Sequence, residues 1–208
     1  IVASSDEGNC VYVNDDTEWC YVQSTQQAFY MYEFILVDGE YPEGDGSGGN
    51  PDEQNSYCNL NPGECDIIAA FLNGVCVGWN FANSDEGIYE NTLLLMGAES
   101  EVPEYLGAGD IPTEILFWDV SNQTLLTIPI PESGELDLNG TNPGFSNNNI
   151  YIISGTTTLY NTQGCTDYEA CNFSPGATVN NGTCLYPCIN FGGCSDPDPD
   201  FLYDCDGN

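Results

Sequence analysis

Short apolar segments separated by polar turn residues run along most of the chain. The segments are rich in β-branched and aromatic residues, and Gly, Pro, Asn and Asp stand between them, which is the pattern of short β-strands. No segment keeps the 3.6-residue period of an amphipathic helix over three turns. The predicted strands are residues 10–13, 19–22, 28–37, 66–72, 75–81, 91–96, 114–120, 124–130 and 150–154.

This series of strands predicts an all-β fold. Many short strands within about 160 residues are typical of an antiparallel β-sandwich, in which two sheets pack face to face. Beyond that region, cysteines and turn residues replace the apolar segments. We therefore predict a β-sandwich domain over residues 1–161 and a small, disulfide-rich, loop-dominated module over residues 162–208.

The strand AFYMYEFILV, residues 28–37, is apolar on both faces and is interrupted only by Glu33. A strand of a sandwich needs one apolar face for the core, so the second face requires another cover. Either a loop of the same chain or a neighbouring subunit would serve. The alternation places Tyr30, Tyr32, Phe34 and Leu36 on one face, and Phe29, Met31, Ile35 and Val37 on the other.

The charge of the chain is of one sign. Asp and Glu number 33, whereas Lys, Arg and His are all absent. Side-chain salt bridges cannot form, so the carboxylates rely on hydrogen bonds, divalent cations or water. Nucleic acid and anionic membranes are excluded as electrostatic partners, because nothing can neutralise a phosphate. No apolar run approaches the ~20 residues of a membrane-spanning helix, and no membrane insertion is predicted.

The missing residue types also restrict catalysis. Without His and Lys, the chain has no Ser-His-Asp triad, no Cys-His pair and no Schiff-base lysine. Without Arg and Lys, it cannot clamp a transferring phosphoryl group. A glycosidase-type pair of carboxylates remains, but such a pair arises easily among 33 acids. The sequence therefore predicts a protein without enzymatic activity.

Eleven cysteines indicate an oxidising compartment, which predicts an extracellular or cell-surface protein. Zinc is disfavoured, since His and paired C-x₂-C motifs are absent. Cys10 with Cys20, and Cys58 with Cys65, are predicted to close local loops. The count is odd, and Cys76, within a predicted strand, is the expected buried free thiol. Three bonds are expected among Cys165, Cys171, Cys184, Cys188, Cys194 and Cys205.

Clustered aspartates predict Ca²⁺ as a cofactor. The segment DPDPDFLYDCDGN, residues 196–208, alternates carboxylates and ends in a Gly-containing turn, an arrangement that suits oxygen coordination. It lacks the full EF-hand spacing and its closing Glu, so an acidic tail is the alternative. The loop 38–55 is either a second calcium or partner site or a flexible surface loop. The predicted ligands are Asp196, Asp198, Asp200, Asp204 and Asp206, with Asp38, Asp45 and Asp52 as weaker candidates.

Sequons for N-glycosylation occur at Asn122, Asn139, Asn172 and Asn181. They predict a glycoprotein if the source cell glycosylates asparagine. Exposed aromatic rings can also stack on sugars, so glycans are an additional predicted class of partner. The same aromatic residues would equally supply the core of a sandwich.

Two groups of motifs resemble modules of large secreted bacterial surface proteins. The stretch GCTDYEACNFSPGATVNNGTC, residues 164–184, is similar to a cysteine-rich repeat of the form GCTDxxACNYxPxATxxxGxC. Residues 23–40, 66–79 and 109–125 resemble, in order, the pieces QAFYFF…DG, GAFNGxxCVG and GDIPTFKIYD of a β-sandwich module. The chain departs from that module by lacking Lys and Arg after GDIPT and by its Cys58–Cys65 insertion. The resemblance implies an exported multidomain protein with no catalytic role to carry over.

These observations predict a non-catalytic structural subunit of an extracellular fibre or surface assembly, stabilised by disulfides and calcium. The alternative is a carbohydrate-binding or adhesive module of a larger exported protein. Residues 1–22 lie outside the resemblance and contain β-prone pieces. We expect them to act as an assembly segment that packs on the next subunit, giving a head-to-tail polymer.

Overall fold

The computed structural model describes residues 10–12, 17–48, 55–88, 90–130, 136–137, 144–167, 170–174 and 177–185. Within these residues the regular structure is strands, apart from two short helical turns. The fold is therefore all-β. The chain divides into two compact units, Ile1–Tyr160 and Asn161–Asn208.

Every strand expected from the sequence is present in the first unit, and the last of them, Asn149–Leu159, extends further than predicted. A short strand, Leu136–Asp137, was not expected. Two helical turns, α1 (Tyr57–Leu60) and a 3₁₀ turn (Pro62–Glu64), were not expected either. The strands are β1 (Cys10–Tyr12), β2 (Cys20–Val22), β3 (Gln27–Val37), β4 (Ile67–Leu72), β5 (Val75–Phe81), β6 (Asn91–Met96), β7 (Glu114–Asp119), β8 (Thr124–Ile128), β9 (Leu136–Asp137) and β10 (Asn149–Leu159).

Eight of these strands form two four-stranded sheets. The first sheet has the order β6-β3-β10-β9, and the second has the order β5-β4-β7-β8. One pair departs from the predicted antiparallel arrangement, because β3 and β10 run parallel. Parallel neighbours need a crossover connection, and here that connection contains the whole second sheet. The two sheets contact each other where β5 meets β6 and where β8 meets β10.

Both sheets contribute fully buried side chains to one hydrophobic cluster. Tyr30 of β3 and Tyr151 of β10 stack edge to face, with ring centroids 5.4 Å apart. Such aromatic pairs add about 0.5–1.5 kcal/mol to the area that they bury. The second sheet contributes Ile68, Ala70, Ile115, Phe117, Leu126 and Ile128, and the first contributes Ala28, Tyr30, Leu93, Leu95, Tyr151 and Ile153.

Strand β3 does not keep one alternation along its whole length, so the predicted division into two faces is wrong in its second half. Tyr30 and Tyr32 are buried as one face, but the next buried residue is Ile35. This change coincides with a register shift in the ladder with β10, between Ile153 and Thr156. Gly155 has φ of +89° there, and its backbone N–H donates to the Glu33 carboxylate.

The N-terminal hairpin of β1 and β2 belongs to the core of its own unit. Trp19 packs edge to face on Phe71 of β4, with ring centroids 5.5 Å apart. Tyr21 packs in the same way on Trp79 of β5 at 6.2 Å. Both side chains are buried. The described end of the expected assembly segment 1–22 therefore covers the second sheet of the same molecule.

The second unit is loop-dominated in its described part. Its regular structure is one short parallel pair, β11 (Gln163–Gly164) with β12 (Val179–Asn180). A disulfide joins Cys165 to Cys184. Among the described residues of this unit, the buried apolar ones are Cys165 and Ala170, and a disulfide is a usual source of stability where a core is small.

Candidate assembly surface

Most of the predicted calcium ligands lie outside the described residues. This applies to Asp52 and to the C-terminal set Asp196, Asp198, Asp200, Asp204 and Asp206. In the part of the chain that the structure describes, no three Asp, Glu or Cys side chains converge closely enough to hold a metal ion.

The two described aspartates of the 38–55 loop have different surroundings. Asp38 is exposed in the turn after β3, with φ of +52°. Asp45 uses both carboxylate oxygens, since Oδ1 accepts from the Ser47 N–H and Oδ2 from the Cys58 N–H, each at 3.0 Å. Partial burial alone would raise the pKa of Asp45, but the hydrogen bonds from Ser47 and Cys58 outweigh it and hold the pKa below its usual range. The Asp45 side chain thus ties the loop to α1.

A second set of bonds completes this anchor. The Asn59 amide donates to the Ser56 hydroxyl at 2.9 Å and to the Gly48 carbonyl at 3.2 Å. The Ser56 hydroxyl donates to the Ser47 hydroxyl at 2.8 Å. The disulfide between Cys58 and Cys65 closes the adjoining turn. In its described part, the acidic loop is therefore held against α1 by the Asp45 carboxylate and by neutral side chains.

Asp66 is a buried carboxyl group, and it was not among the site residues predicted from the sequence. It is 4% exposed. Its Oδ2 accepts from the Glu43 N–H at 2.9 Å, and its Oδ1 accepts from the Val120 N–H at 2.8 Å. Burial raises the pKa of Asp66 to about 7; the two N–H groups oppose this shift, and the Asp119 and Glu43 carboxylates add to it.

This raised pKa predicts that Asp66 makes the fold more stable as the pH falls from about 8 towards 4. The folded state keeps a proton through this range that the unfolded state, with an ordinary aspartate pKa, has already lost. The slope reaches about 1.4 kcal/mol per pH unit for one proton. Urea titration measures the unfolding free energies of wild type and Asp66→Asn. We expect the difference between them to increase by about 1.4 kcal/mol for each pH unit as the pH falls from 7 to 5.

The substitution also removes one acceptor from the two N–H groups, which lowers stability at every pH. The test is therefore how the difference in unfolding free energy changes with pH, and not its value at one pH. Glu101→Gln, at an exposed position, is the matched control and should run parallel to the wild type. Parallel curves for Asp66→Asn and wild type would contradict a raised pKa of Asp66 in the folded protein.

Six cysteines of the described residues are disulfide-bonded, namely Cys20, Cys58, Cys65, Cys165, Cys171 and Cys184. The bond between Cys58 and Cys65 is as predicted. The bond between Cys165 and Cys184 agrees with pairing among the six distal cysteines. The predicted Cys10–Cys20 bond stays a prediction. Three of the distal cysteines, Cys188, Cys194 and Cys205, lie outside the described residues.

Cys76 is a free, buried thiol, and its Sγ donates to the Gly78 carbonyl at 3.8 Å. Burial raises the pKa of Cys76 to about 12. The reactive thiolate is therefore scarce at neutral pH, and Cys76 acts as a packing residue of the core.

The outward face of the first sheet carries an apolar surface without carboxylates of its own. Across β6, β3 and β10, the register places Leu94 beside Phe29 and Phe29 beside Ile150. The next row places Thr92 beside Met31 and Met31 beside Ile152. Ile150 is 45% exposed, and the other side chains are partly exposed. We call this set the outer patch: Phe29, Met31, Thr92, Leu94, Ile150 and Ile152.

Acidic positions border the outer patch. Glu33 follows Met31 along β3 on the same side, where it accepts the Gly155 N–H. In the ladder with β9, Asp137 is the register partner of Ile152. An apolar centre with a polar rim is the usual composition of a protein–protein interface.

A smaller apolar surface lies on the outward face of the second sheet, at β7 and β8. Trp118 and Leu125 are register partners there, and Leu116 pairs with Thr127. Leu125 is 46% exposed, whereas Leu116 and Trp118 are partly buried. The N-terminal hairpin covers the β4–β5 part of this sheet but leaves this β7–β8 face partly open to solvent.

Comparison with protein-family models, with curated proteins and with solved structures gives no match for this chain. Among the helices of the described residues, none has the length and apolar character that crossing a membrane requires.

Proposed function

We propose that this chain is a non-catalytic structural subunit of an extracellular fibre or surface assembly, and that its first unit is a β-sandwich. The sandwich is supported by two four-stranded sheets whose buried faces share one hydrophobic cluster. The extracellular location is supported by the disulfides, because such bonds persist in oxidising compartments.

The outer patch is the observation that carries the proposal. Two copies of a chain with 33 acids and no basic side chain repel each other, and no salt bridge can join them. Without a shared cation, they can approach closely through surfaces that lack carboxylates. The outer patch offers such a surface, and its apolar side chains gain about 25 cal/mol for each Å² removed from water. Its proposed occupant is therefore a second copy of this chain.

The β7–β8 face supplies a second contact of the same chemistry. In a sandwich the outward faces of the two sheets point in opposite directions. If the outer patch of one copy meets the β7–β8 face of the next, the contact is heterologous and repeats head to tail. This arrangement leaves Trp19 and Tyr21 in the core of their own subunit, so polymer formation does not require these two side chains to leave it.

Calcium has a role in the same proposal. The acidic rim of one copy meets acidic groups of the next, and a divalent cation bound between carboxylates would relieve that repulsion. The aspartates of residues 196–206 remain the proposed ligands within the second unit. Their alternate spacing and the Gly that follows suit oxygen coordination.

Ile150→Glu should abolish polymer formation while leaving the subunit folded. Ile150 is 45% exposed, so a carboxylate at this position stays solvated in the free subunit. In the assembled state the same carboxylate would be buried among apolar groups, which costs several kcal/mol. Sedimentation velocity and negative-stain microscopy measure the outcome. We expect fibres from the wild type and monomers from the variant, with equal thermal unfolding temperatures for the two dissociated subunits.

The matched control is Leu60→Glu, a similar change at a residue that is 64% exposed outside the outer patch; it should polymerise normally. Chelation by EDTA should lower the melting temperature and weaken the polymer. Normal fibres from Ile150→Glu would exclude the outer patch as the contact. A wild-type protein that stays monomeric with calcium at high concentration, and that binds glycans, would support an adhesive module in place of a structural subunit.

A further inference from the structure

The sequon at Asn181 differs from the other described sequons in its geometry. Asn181 and Thr183 are both exposed, in the loop that follows β12. The Asn181 Oδ1 accepts the backbone N–H of Thr183 at 3.0 Å and also the Thr183 hydroxyl. Gly182 between them has φ of +73°, which Gly adopts readily. The sequon therefore holds its asparagine and its hydroxyl together in a tight turn.

This turn leaves the amide nitrogen of Asn181 available. The Oδ1 atom makes both side-chain hydrogen bonds, and Nδ2 makes none to any residue that the structure describes. The backbone is fixed independently, because the Asn181 N–H donates to the Gly164 carbonyl at 3.0 Å. N-glycans are bulky surface modifications, and an exposed asparagine with an unused Nδ2 can take one without losing a hydrogen bond of the fold.

At Asn122 the amide nitrogen already makes a hydrogen bond within the fold. Its Nδ2 donates to the Asp119 Oδ2 and its backbone N–H to the Asp119 Oδ1, both at 3.0 Å. The sequon hydroxyl belongs to Thr124, which is 5% exposed and donates to the Asn122 carbonyl. A glycan here would have to share the amide nitrogen with the hydrogen bond that holds the turn joining β7 to β8.

At Asn172 both side-chain atoms are used. Nδ2 donates to the Thr183 carbonyl at 2.8 Å, and Oδ1 accepts the Leu185 N–H at 2.7 Å. These bonds join two segments of the second unit, so a glycan on Nδ2 would compete with one of them for space. Asn139 lies outside the described residues.

We propose that Asn181 is the N-glycan attachment site of the described chain. The reaction joins the Asn181 Nδ2 to C1 of a sugar donated by an activated lipid- or nucleotide-linked sugar phosphate. The C1–oxygen bond of the donor breaks, the amide loses one proton, and the phosphate or diphosphate is the leaving group. The inference is independent of polymer formation, since it concerns the second unit and none of the outer patch.

Peptide mapping of the native secreted protein tests the site directly. Trypsin is useless here, because the chain has no Lys or Arg. Chymotrypsin cleaves after aromatic residues, and a cut at Phe173 separates the Asn172 sequon from the Asn181 sequon. Enzymatic release of the glycan in H₂¹⁸O marks each modified asparagine by mass. We expect a sugar on Asn181 and none on Asn122 or Asn172.

Variants in a host that glycosylates asparagine give the second readout. Asn181→Gln and Thr183→Ala should each lose the glycan, whereas Thr183→Ser should keep it and Asn122→Gln should leave it unchanged. The retained hydroxyl of the serine variant separates loss of the sequon from loss of folding. An unmodified Asn181 in the native protein, or a glycan on Asn122 or Asn172, would overturn the proposal.

Discussion

Gly78→Ala should destabilise the first unit by about 3–5 kcal/mol, through a combination of steric overlap and backbone strain. At Gly78, β5 passes close to β6, and a Cβ atom there would lie 1.9 Å from the Leu94 carbonyl oxygen. Its φ of +156° is also one that other residues rarely adopt. The Asn80 amide oxygen accepts the Leu94 N–H at 2.9 Å beside it, so moving β5 away would break that bond as well.

Gly74→Ala is the control for this prediction. Gly74 also has a positive φ, +85°, but a Cβ atom at this position would have no other atom within 4 Å. It should therefore report backbone strain alone, about 1 kcal/mol. Urea unfolding of both variants measures the difference. Equal losses for the two alanines would show that β5 and β6 are not in close contact.

Trp19→Ala should cost about 3–5 kcal/mol of unfolding free energy, the usual loss for a large buried aromatic side chain. Trp19 is 3% exposed and packs on Phe71, and its removal would leave a cavity between the N-terminal hairpin and β4. The same hairpin is fixed by the Val22 N–H, which donates to the Tyr105 hydroxyl at 2.7 Å. Chemical denaturation followed by far-ultraviolet circular dichroism, which does not depend on the tryptophan, gives the measurement.

The control is Tyr57→Ala, which removes a large aromatic ring that is 56% exposed and should cost no more than about 1 kcal/mol. If Trp19→Ala were as mild as Tyr57→Ala, the hairpin would not be part of the core. The idea of residues 1–22 as a free assembly segment would then regain support.

Much of the fold follows from local patterns in the sequence. The strands could be located because each is a short run of β-branched and aromatic residues bounded by Gly, Pro, Asn or Asp. The apolar character of both faces of β3 predicted a need for two covers. The structure places Tyr30 and Tyr32 in the core, whereas Phe29 and Met31 remain in the partly exposed outer patch.

What the sequence did not predict depends on contacts between distant residues. The parallel pairing of β3 with β10 joins segments more than a hundred residues apart, and no local pattern encodes it. The loss of alternation in β3 near Glu33 lies opposite a register shift in β10, where the Gly155 N–H donates to Glu33. Asp66 became notable only when its partners Glu43 and Val120 were known, although an acid directly before the apolar strand IIAAFL was a usable signal.

Among the predicted site residues, some could likewise be recognised from local sequence, whereas others depended on contacts between distant residues. Cys76 could be recognised from its place between two valines in a strand, and the structure contains it as a free, buried thiol. Asp45 was attractive as a ligand because it lies in an acidic, Gly-rich loop. Its actual hydrogen bonds go to Ser47 and Cys58, and sequence spacing cannot distinguish a carboxylate that binds a cation from one that caps backbone N–H groups.

Electron cryo-microscopy of the native extracellular material is the most direct test of a structural subunit that assembles through uncharged faces. We expect ordered polymers in which Phe29, Met31 and Ile150 of one subunit are buried against the next. Polymers in which these three side chains face solvent, or native material that contains only monomers, would contradict this expectation.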